Sequence, residues 1–471
     1  MKTQQYEMGM VGLGVMGGNL LLNIADHGYS IVGYNRNPER IKSLRQEGKG
    51  LDIRGAENVE ELVGLLRVPR VVMLLVPAGE PVDEVIAELV PHLQPGDLII
   101  DGGNSHFKDT DRRAAQLAEK GIQFLGMGIS GGEKGARNGP CMMPGGPREA
   151  YKRIGPVLEA VAARVDNEPC VAYMGPGSAG HYVKMIHNGI EYAIMELISE
   201  TYDLMKRGLG LDNDRLHEVY TQWNESEVKG YLMEITGAIF KKIDEKTGKP
   251  LIDAILDVAR QKGTGMWTTE SAMALQTPVS VIDVSVEMRD LSVFIRERKQ
   301  ARLMYSWTMP GFTGDRSAFL TQLRQALYVG MIVSYAQGMA LLTSASEKYE
   351  YNLHLDTIAH IWRGGCIIRS ELLNDIYDAY RKYPDLSNLL FAPRISYQVT
   401  EHHNDLRQVV RMAASLGIPT PGFMATLSYL DAYRSPWLPT NLIQAQRDYF
   451  GSHTYERVDA PGTFHTEWEE P

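Results

Sequence analysis

MGMVGLGVMGGNL, the stretch from Met8 to Leu20, decides the fold of the first part of this 471-residue chain. Its apolar opening is typical of a buried strand, and it runs directly into GLGVMG, Gly12–Gly17, which has GxGxxG spacing. Between a strand and a helix, the first glycine permits a tight turn, the second lets the backbone approach a pyrophosphate, and the third allows close helix–strand packing. The amides that open the following helix attract phosphate. The stretch therefore predicts a dinucleotide site on a strand–turn–helix unit.

The same pattern continues to about residue 175, where short apolar runs alternate with helical stretches. The apolar runs are MGMVGLG, YSIVGYN, RVVMLLVP, DLIIDGG and QFLGMGIS. This alternation is typical of βαβ units and predicts a doubly wound parallel sheet. We therefore expect an α/β, Rossmann-like first domain over residues 1–178.

Beyond Gly180 the strand signals nearly vanish, and long segments with helical periodicity follow. The segments are Gly180–Arg207, Asp214–Thr236, Asp283–Arg302, Phe319–Thr343 and His402–Leu416. These segments predict a large all-α domain over residues 179–435. The last stretch, residues 436–471, is rich in proline, glycine, histidine and aromatic residues, so an irregular C-terminal tail is expected that needs a surface to lie on.

The composition narrows the class of protein. A formal net charge of −10 argues against general nucleic-acid binding and against anionic membrane surfaces. The three cysteines, Cys141, Cys170 and Cys366, are far apart, so neither a disulfide framework nor a CxxC metal pair is expected. There is no HExxH motif and no signal-peptide pattern, and apolar runs such as VVMLLV are far short of a membrane span. We therefore expect a metal-free cytoplasmic protein that binds neither nucleic acid nor membranes.

The residues after the second strand bear on the choice of dinucleotide. An NAD enzyme usually places Asp or Glu there to hold the ribose 2′-hydroxyl. This chain has Asn35 and then Arg36, whose guanidinium could pair with a 2′-phosphate, so NADP is expected. The alternative is that Arg36 is a solvated surface residue. The predicted cofactor contacts in this region are Gly12, Leu13, Gly14, Val15, Met16, Gly17, Asn35, Arg36 and Asn37.

Two further stretches follow strands of the same predicted sheet. DGGNS, which contains Asn104, and SGGEKGARNGPCMMPGG, which begins at Ser130, would both lie at the crevice outside the carboxyl ends of the strands. Asn104 is then placed to touch cofactor and substrate together. The Ser130 hydroxyl and the amides of Gly131 and Gly132 offer a cradle for a carboxylate. Either stretch alone would suit a structural turn, but their shared sheet favours a binding site.

The stretch KMIHNGIEY places four polar residues on one face of a helix: Lys184, His187, Asn188 and Glu191. The lysine and the glutamate would be about 10 Å apart along the axis, a suitable span for a small polyol. Gly189 costs about 1 kcal/mol in mid-helix, which indicates that something approaches closely there. The alternative is that this face is solvated.

Together these motifs resemble the 6-phosphogluconate dehydrogenase family, the decarboxylating enzymes of the oxidative pentose phosphate pathway. The resemblance runs from about Met8 to about Trp468, nearly the whole chain. It is carried by GLGVMG, YNRN, DGGNS, SGGEKGARNGPCMMPGG, KMIHNGIEY, QKGTG, WRGGCIIRS and NLIQAQRDYFGSHTYER. KMIHNGIEY together with QRDYFGSHTYER is the most specific combination.

The resemblance implies a chemistry for the polar face. Lys184 matches the general base, which takes the proton of the C3 hydroxyl of 6-phosphogluconate while hydride passes to NADP. Glu191 matches the general acid, which protonates the enediol left by loss of CO2, and His187 and Asn188 stand between them. The product would be ribulose 5-phosphate, and no metal would be needed. The implied substrate contacts are Asn104, Ser130, Gly131, Gly132, His187, Asn188, Tyr192, Lys262, Arg289, Arg447 and His453.

The resemblance also implies a homodimer. In the family, the tail residues that match Arg447 and His453 come from the partner subunit and reach its neighbour's substrate phosphate. Such a local cluster of cations would override the net charge of −10. The match further places Val76, Pro77, Ala78 and Asn104 beside the cofactor.

Three positions depart from the common family pattern. Pro77 and Met266 stand where many members have lysine, and Lys134 stands where many have glutamate; the first bears on cofactor affinity. Two alternatives remain open. One is a shorter β-hydroxyacid dehydrogenase of the 3-hydroxyisobutyrate type, which would lack the QRDYFGSHTYER tail. The other is a non-catalytic NADP-binding protein, which loss of Lys184 or Glu191 would favour, but both are present.

Overall fold

The computed structural model describes residues 5–306 and 308–468. Residues 1–4, at the start of the predicted first domain, residue 307, and residues 469–471, at the end of the predicted tail, lie outside it. The first part contains seven strands: β1 (Met8–Val11), β2 (Ile31–Tyr34), β3 (Ile53–Gly55), β4 (Val71–Leu74), β5 (Leu98–Asp101), β6 (Gln123–Ser130) and β7 (Cys141–Gly145). They form one sheet in the order β3-β2-β1-β4-β5-β6-β7. Neighbouring strands are parallel except β6 and β7. The short β3 and the antiparallel β7 were not among the predicted strands.

Helices cover both faces of this sheet: α1 (Val15–Asp26), α2 (Pro38–Glu47), α3 (Val59–Gly64), α4 (Glu80–Leu89), α5 (Phe107–Ala118), α6 (Gly132–Asn138) and α7 (Arg148–Val161). A small hairpin, β8 (Arg164–Val165) and β9 (Glu168–Pro169), follows. The strand residues divide between two cores, as period-two alternation requires. In β4, Val71 and Met73 belong to the core on one face, and Val72 and Leu74 to the core on the other. The predicted doubly wound, Rossmann-like sheet is confirmed.

The second part is helical: α8 (Ala179–Asp203), α9 (Asn213–Trp223), α10 (Tyr231–Ile239), α11 (Thr264–Ala274), α12 (Ser280–Val293), α13 (Ile295–Met304), α14 (Arg316–Tyr349), α15 (Leu355–Trp362), α16 (Leu372–Lys382), α17 (Pro393–Leu416) and α18 (Pro421–Tyr433). At its centre, α14 packs against α8 and α17. In the described residues α14 is also the one helix long and apolar enough to cross a membrane, and 89% of its apolar window is buried inside the protein. The predicted helical segment Phe319–Thr343 lies within this helix, and the burial of α14 accounts for its apolar composition.

Two of the predicted helical segments each contain two helices. The segment Asp214–Thr236 contains α9 and α10, because the chain turns between them and the Asn224 side chain accepts a hydrogen bond from the Gly230 amide at 3.0 Å. The segment Asp283–Arg302 contains α12 and α13, because Phe294 adopts a ψ of 50°, outside the helical range. Helical periodicity predicted both segments but not these local breaks.

The sequence suggested an irregular tail, but the structure shows a regular one. It forms α19 (Thr440–Gly451) and a short hairpin of β10 (Tyr455–Glu456) and β11 (Thr463–Phe464). The buried carboxylate of Asp448 organises it by accepting four hydrogen bonds of 2.9–3.0 Å, from the amides of Thr454 and Thr466 and from the rings of His465 and Trp468. One side chain therefore supplies the order that composition could not predict.

Candidate active site

The first turns of α8 pack directly on β6 and β7. A Cβ added at Gly128 would lie only 2.2 Å from the Cβ of Lys184, and one added at Gly145 would lie 2.3 Å from the Gly180 nitrogen. Helix and strands are thus as close as their backbones allow. This packing sets Lys184 beside the carboxyl end of β6, where Ser130 ends the strand.

The polar face of α8 is buried, which excludes the reading as a solvated face. Lys184, His187 and Asn188 are 6%, 0% and 8% exposed. His187 is central: its Nδ1 lies 3.4 Å from Lys184 Nζ, 3.1 Å from Asn188 Oδ1 and 3.9 Å from Glu191 Oε2. Its Nε2 lies 3.3 Å from Ser130 Oγ. The structure therefore gathers four other predicted site residues around the imidazole of His187.

Burial biases the protonation states in this array. It lowers the pKa of Lys184, although the carboxylate of Glu191 opposes the shift. Burial, reinforced by the charge of Lys184, holds the pKa of His187 well below its ordinary value, so this imidazole is neutral. Burial also raises the pKa of Glu191, against the charges of Lys184 and Arg289. A lysine shifted toward the free amine and a carboxyl group shifted toward the acid have the properties of a base and an acid.

Gly189 is explained by packing and not by a ligand. A Cβ at this position would lie 2.7 Å from the Cγ2 of Thr268, on α11. The Thr268 hydroxyl also donates to the carbonyl of Met185 at 3.1 Å. The close approach that the sequence indicated is therefore that of a neighbouring helix.

The turn after β6 has one closed side and one open side. Ser130 Oγ accepts a hydrogen bond from the Ile367 amide at 3.4 Å. Gly131 has a φ of 122°, and a Cβ there would meet the carbonyl oxygen of Gly365 at 2.5 Å. Gly132 also has a positive φ, 61°, but nothing lies within 4 Å of its Cβ position. The turn therefore has room for a ligand at Gly132, on the side away from the Gly365 loop.

A cationic group adjoins Glu191 at the other end of the array. The guanidinium of Arg289 lies 3.6 Å from the ring centroid of Tyr192, a cation–π contact. Gly265 holds this ring in place, because a Cβ there would lie 2.5 Å from Tyr192 Cδ2. Lys262 is exposed in the loop just before α11. The predicted phosphate ligands Tyr192 and Arg289 are therefore in contact, and Lys262 is close in sequence to Gly265, which packs against Tyr192.

The two predicted ligands in the tail are elsewhere. Arg447 is exposed, and its Nη1 donates to Gln444 Oε1 at 3.1 Å. His453 is exposed, and its ring lies edge-on to Phe450 with centroids 5.9 Å apart. Both interactions stay within the tail. A single chain therefore does not bring Arg447 and His453 into the array around His187.

The glycine-rich turn after β1 has the form that a pyrophosphate site requires. Gly12 has a φ of 96°, and its Cβ position lies 2.4 Å from the Leu75 carbonyl oxygen. A Cβ at Gly17 would lie 1.9 Å from the Gly12 carbonyl oxygen. At Gly14, by contrast, nothing lies within 4 Å of the Cβ position. The first and third glycines are thus required by packing, and the second borders open space, which fits a dinucleotide.

The residues after β2 support this turn. Asn35 Oδ1 accepts a hydrogen bond from the Leu13 amide at 2.9 Å, which ties the turn to the end of β2. Asn37 Oδ1 accepts from the Glu39 amide at 3.0 Å and so caps α2. Part of each side chain is therefore committed to the scaffold. The other predicted cofactor contacts on this rim are at least partly exposed: Val15, Met16, Val76, Pro77, Ala78 and Asn104.

Arg36 is exposed but is not merely solvated. Its Nη1 lies 2.8 Å from the carboxylate of Glu84, and its Nη2 lies 2.7 Å from that of Glu88. Both glutamates belong to α4. The sequence reasoning did not find these partners, because they are 48 and 52 residues away.

A buried arginine that the sequence reasoning also missed connects two loops of the site. Arg113 donates to the Gly79 carbonyl at 2.9 Å and to the Asp83 carboxylate at 2.8 and 2.9 Å, and it contacts Ser105 Oγ at 3.2 Å. It also lies 3.5 Å from the carboxylate of Asp101. It therefore fixes the loop after β4 to the loop after β5. An arginine in an amphipathic helix carries no sequence signal for this role.

Trp362 is a second missed residue. It is fully buried, and its ring meets that of His187 edge-on, with centroids 5.5 Å apart. The indole nitrogen donates to the sulfur of Met143 at 3.4 Å. Trp362 is the first residue of the motif WRGGCIIRS, which contributed to the family resemblance, so that motif was the available signal for a role of Trp362 at the site.

The three cysteines are buried free thiols. Burial raises the pKa of Cys170 to about 11 and that of Cys366 to about 12, so both are poor nucleophiles and poor metal ligands. Across residues 5–306 and 308–468, no group of three or more His, Cys, Asp or Glu side chains is arranged to hold a metal ion.

Comparison with known proteins matches both halves of the chain. The family model of the NAD binding domain of 6-phosphogluconate dehydrogenase matches residues 7–175. The model of the 6-phosphogluconate dehydrogenase C-terminal domain matches residues 180–468.

Full-length relatives give the same result. The NADP(+)-dependent, decarboxylating 6-phosphogluconate dehydrogenase of Bacillus subtilis is 50% identical over 98% of this chain and 99% of its own length. The decarboxylating enzyme of Synechococcus elongatus is also 50% identical, over 99% of this chain and 100% of its own. Among solved structures, Plasmodium falciparum 6-phosphogluconate dehydrogenase, described with its cofactor NADP+ and its substrate 6-phosphogluconate, superposes with a TM-score of 0.95. It is 44% identical, and the match covers 98% of this chain and 100% of that one.

Proposed function

This chain belongs to the 6-phosphogluconate dehydrogenase family, and we propose that it catalyses the NADP-dependent oxidative decarboxylation of 6-phospho-D-gluconate to D-ribulose 5-phosphate and CO2, in the oxidative pentose phosphate pathway. One observation carries the proposal. It is the buried array of Lys184, His187, Asn188 and Ser130 beside Glu191, a carboxyl group whose pKa is raised by burial. The match over the whole chain, including the tail, disfavours the shorter β-hydroxyacid dehydrogenases.

Lys184 is the general base in this proposal. In its free-amine form, which burial favours, Nζ takes the proton from the C3 hydroxyl of the substrate. The turn at Gly12–Gly17 and Arg36 would hold NADP, which would supply the acceptor for the C3 hydride. The resulting ammonium of Lys184 then faces the new 3-keto oxygen and stabilises negative charge there. This charge stabilisation needs no metal ion.

Loss of the C1 carboxylate as CO2 breaks the C1–C2 bond and leaves its electron pair in an enediol. Glu191, whose carboxyl form burial favours, gives its proton to the terminal carbon of that enediol, and the ketone forms. The neutral His187 lies between acid and base, and with Asn188 it holds substrate hydroxyls. Ser130, Gly131, Gly132 and Asn104 would bind the carboxylate end of the substrate.

The substrate phosphate would be bound by Tyr192, Lys262 and Arg289, together with Arg447 and His453 of a second subunit. The homodimer is supported by two features of the tail. Within the described residues, the contacts of Arg447 and His453 are with other residues of the tail, and the large apolar side chains Leu442, Ile443 and Phe450 are exposed. A second copy of the chain would cover them.

The proposal also includes the domain limits 1–178, 179–435 and 436–471 and a cytoplasmic location.

The test is an assay of reduced cofactor and of released CO2 from 6-phosphogluconate, with NADP and NAD in parallel. We expect one CO2 per reduced cofactor and a preference for NADP. Reduction without CO2 would indicate a simple β-hydroxyacid dehydrogenase. An absence of turnover would favour a binding protein.

A further inference from the structure

Arg36, at the end of β2, is held between two carboxylates on one face of α4. Glu84 and Glu88 are four residues apart, so they lie one above the other on that face. Each takes one terminal nitrogen of the same guanidinium, at 2.8 and 2.7 Å. The arginine that is available for a 2′-phosphate is therefore already paired twice.

The three side chains remain open to solvent. Arg36 is 58% exposed, Glu84 46% and Glu88 42%. Exposed ion pairs of this kind are weak and rearrange readily, so they do not prevent the guanidinium from meeting another anion. The group nevertheless carries a net charge of −1, since two carboxylates surround one cation. A phosphate dianion that binds to Arg36 must approach this excess of negative charge.

We propose that Glu84 and Glu88 compete with the 2′-phosphate of the cofactor for Arg36 and so reduce the preference of this protein for NADP over NAD. The inference rests on the proposed NADP-dependent function. It assigns to α4 a part in cofactor specificity that the glycine-rich turn and Arg36 alone do not explain.

The size of the effect follows from Coulomb's law. Two unit charges about 6 Å apart in water repel one another enough to change an affinity by about threefold. Each of the two carboxylates contributes at least this factor, so together they should weaken binding by at least about tenfold at low ionic strength, and salt should reduce the effect. If the glutamates instead served to orient Arg36 for the phosphate, their removal would weaken binding. The two interpretations therefore predict opposite signs.

The experiment is calorimetric titration of the full-length protein with adenosine 2′,5′-bisphosphate and with 5′-AMP, which isolates the 2′-phosphate from catalysis. The variants are Glu84→Gln, Glu88→Gln, the double variant and Arg36→Gln. Glutamine retains the helix propensity of glutamate. Glu218→Gln is the matched control, because Glu218 also forms an exposed ion pair, with Arg215 at 2.6 Å, but it lies on α9.

We expect the double variant to bind the bisphosphate at least about tenfold more tightly at low salt and to bind 5′-AMP as the wild type does, with no effect of Glu218→Gln. Unchanged or weaker binding of the bisphosphate in the double variant would overturn the proposal. Failure of the proposed function looks different: the wild-type protein and Arg36→Gln would then bind the bisphosphate no better than 5′-AMP. That result would remove the NADP assignment and this inference with it.

Discussion

Replacing Gly128 by alanine should impair both stability and turnover, because a methyl group has no room between β6 and α8. The added carbon would lie 2.2 Å from Lys184 Cβ and 3.2 Å from the Gly180 carbonyl oxygen. Two carbons in contact need about 3.8 Å, so α8 would have to retreat by about 1.6 Å at this point. Overpacking of this kind lowers the free energy of unfolding by about 1–3 kcal/mol.

The same displacement would move the amine of Lys184. A misplacement of about 1 Å at a reacting group can lower kcat by about 100-fold, so a loss of that order is expected. Urea unfolding measures the first effect, and initial rates with saturating substrate measure the second. Gly64→Ala is the matched control, since nothing lies within 4 Å of the Cβ position there. A loss of stability with wild-type kcat, or no effect at all, would refute the claim that β6 positions Lys184.

Three further predictions concern α8, which also carries Glu196, and the tail. Lys184→Met should abolish oxidation, whereas Glu191→Gln should slow turnover with substrate binding retained, as steady-state rates and substrate titrations would show; wild-type rates in Lys184→Met would contradict the assignment of the base. Burial raises the pKa of Glu196 to about 7 in the folded protein, so its ionisation destabilises the fold as pH rises from about 4.3 to 7. Glu196→Gln should therefore raise the free energy of unfolding by about 1–3 kcal/mol at pH 8 and leave it unchanged near pH 4, and equal gains at both pH values would refute this account. Arg447→Ala should weaken binding of 6-phosphogluconate far more than binding of NADP, and mixed dimers with Lys184→Met should recover part of the activity; no recovery would argue that Arg447 acts within its own chain.

Features that depend on local pattern were predictable from the sequence. The spacing of Gly12, Gly14 and Gly17 predicts the turn after β1, because only glycine fits the positive φ of Gly12 and the backbone contact at Gly17. Helical periodicity likewise puts Lys184 and His187 on one face. Their burial was not settled by periodicity, since a polar face is usually solvated; the approach of β6 through Gly128 decides it.

Features that depend on distant partners were not predictable. Nothing near Arg36 in sequence signals Glu84 or Glu88, and nothing near Arg113 signals its contacts with the loops after β4 and β5. The order of the tail depends on Asp448, whose hydrogen-bond partners extend up to 20 residues along the chain. Composition describes none of these long-range interactions.

The packing of α8 on the sheet also limits how the chain can be divided. The two family models, which end at residue 175 and begin at residue 180, suggest a pair of exchangeable modules. Yet Gly128 of β6 and Gly145 of β7 are covered by the first turns of α8. A fragment ended at residue 178 would expose that surface to water and would lack the base. Chimaeras between relatives should therefore tolerate a crossover after α8 far better than one before it, because the unit that folds extends beyond the unit that sequence comparison defines.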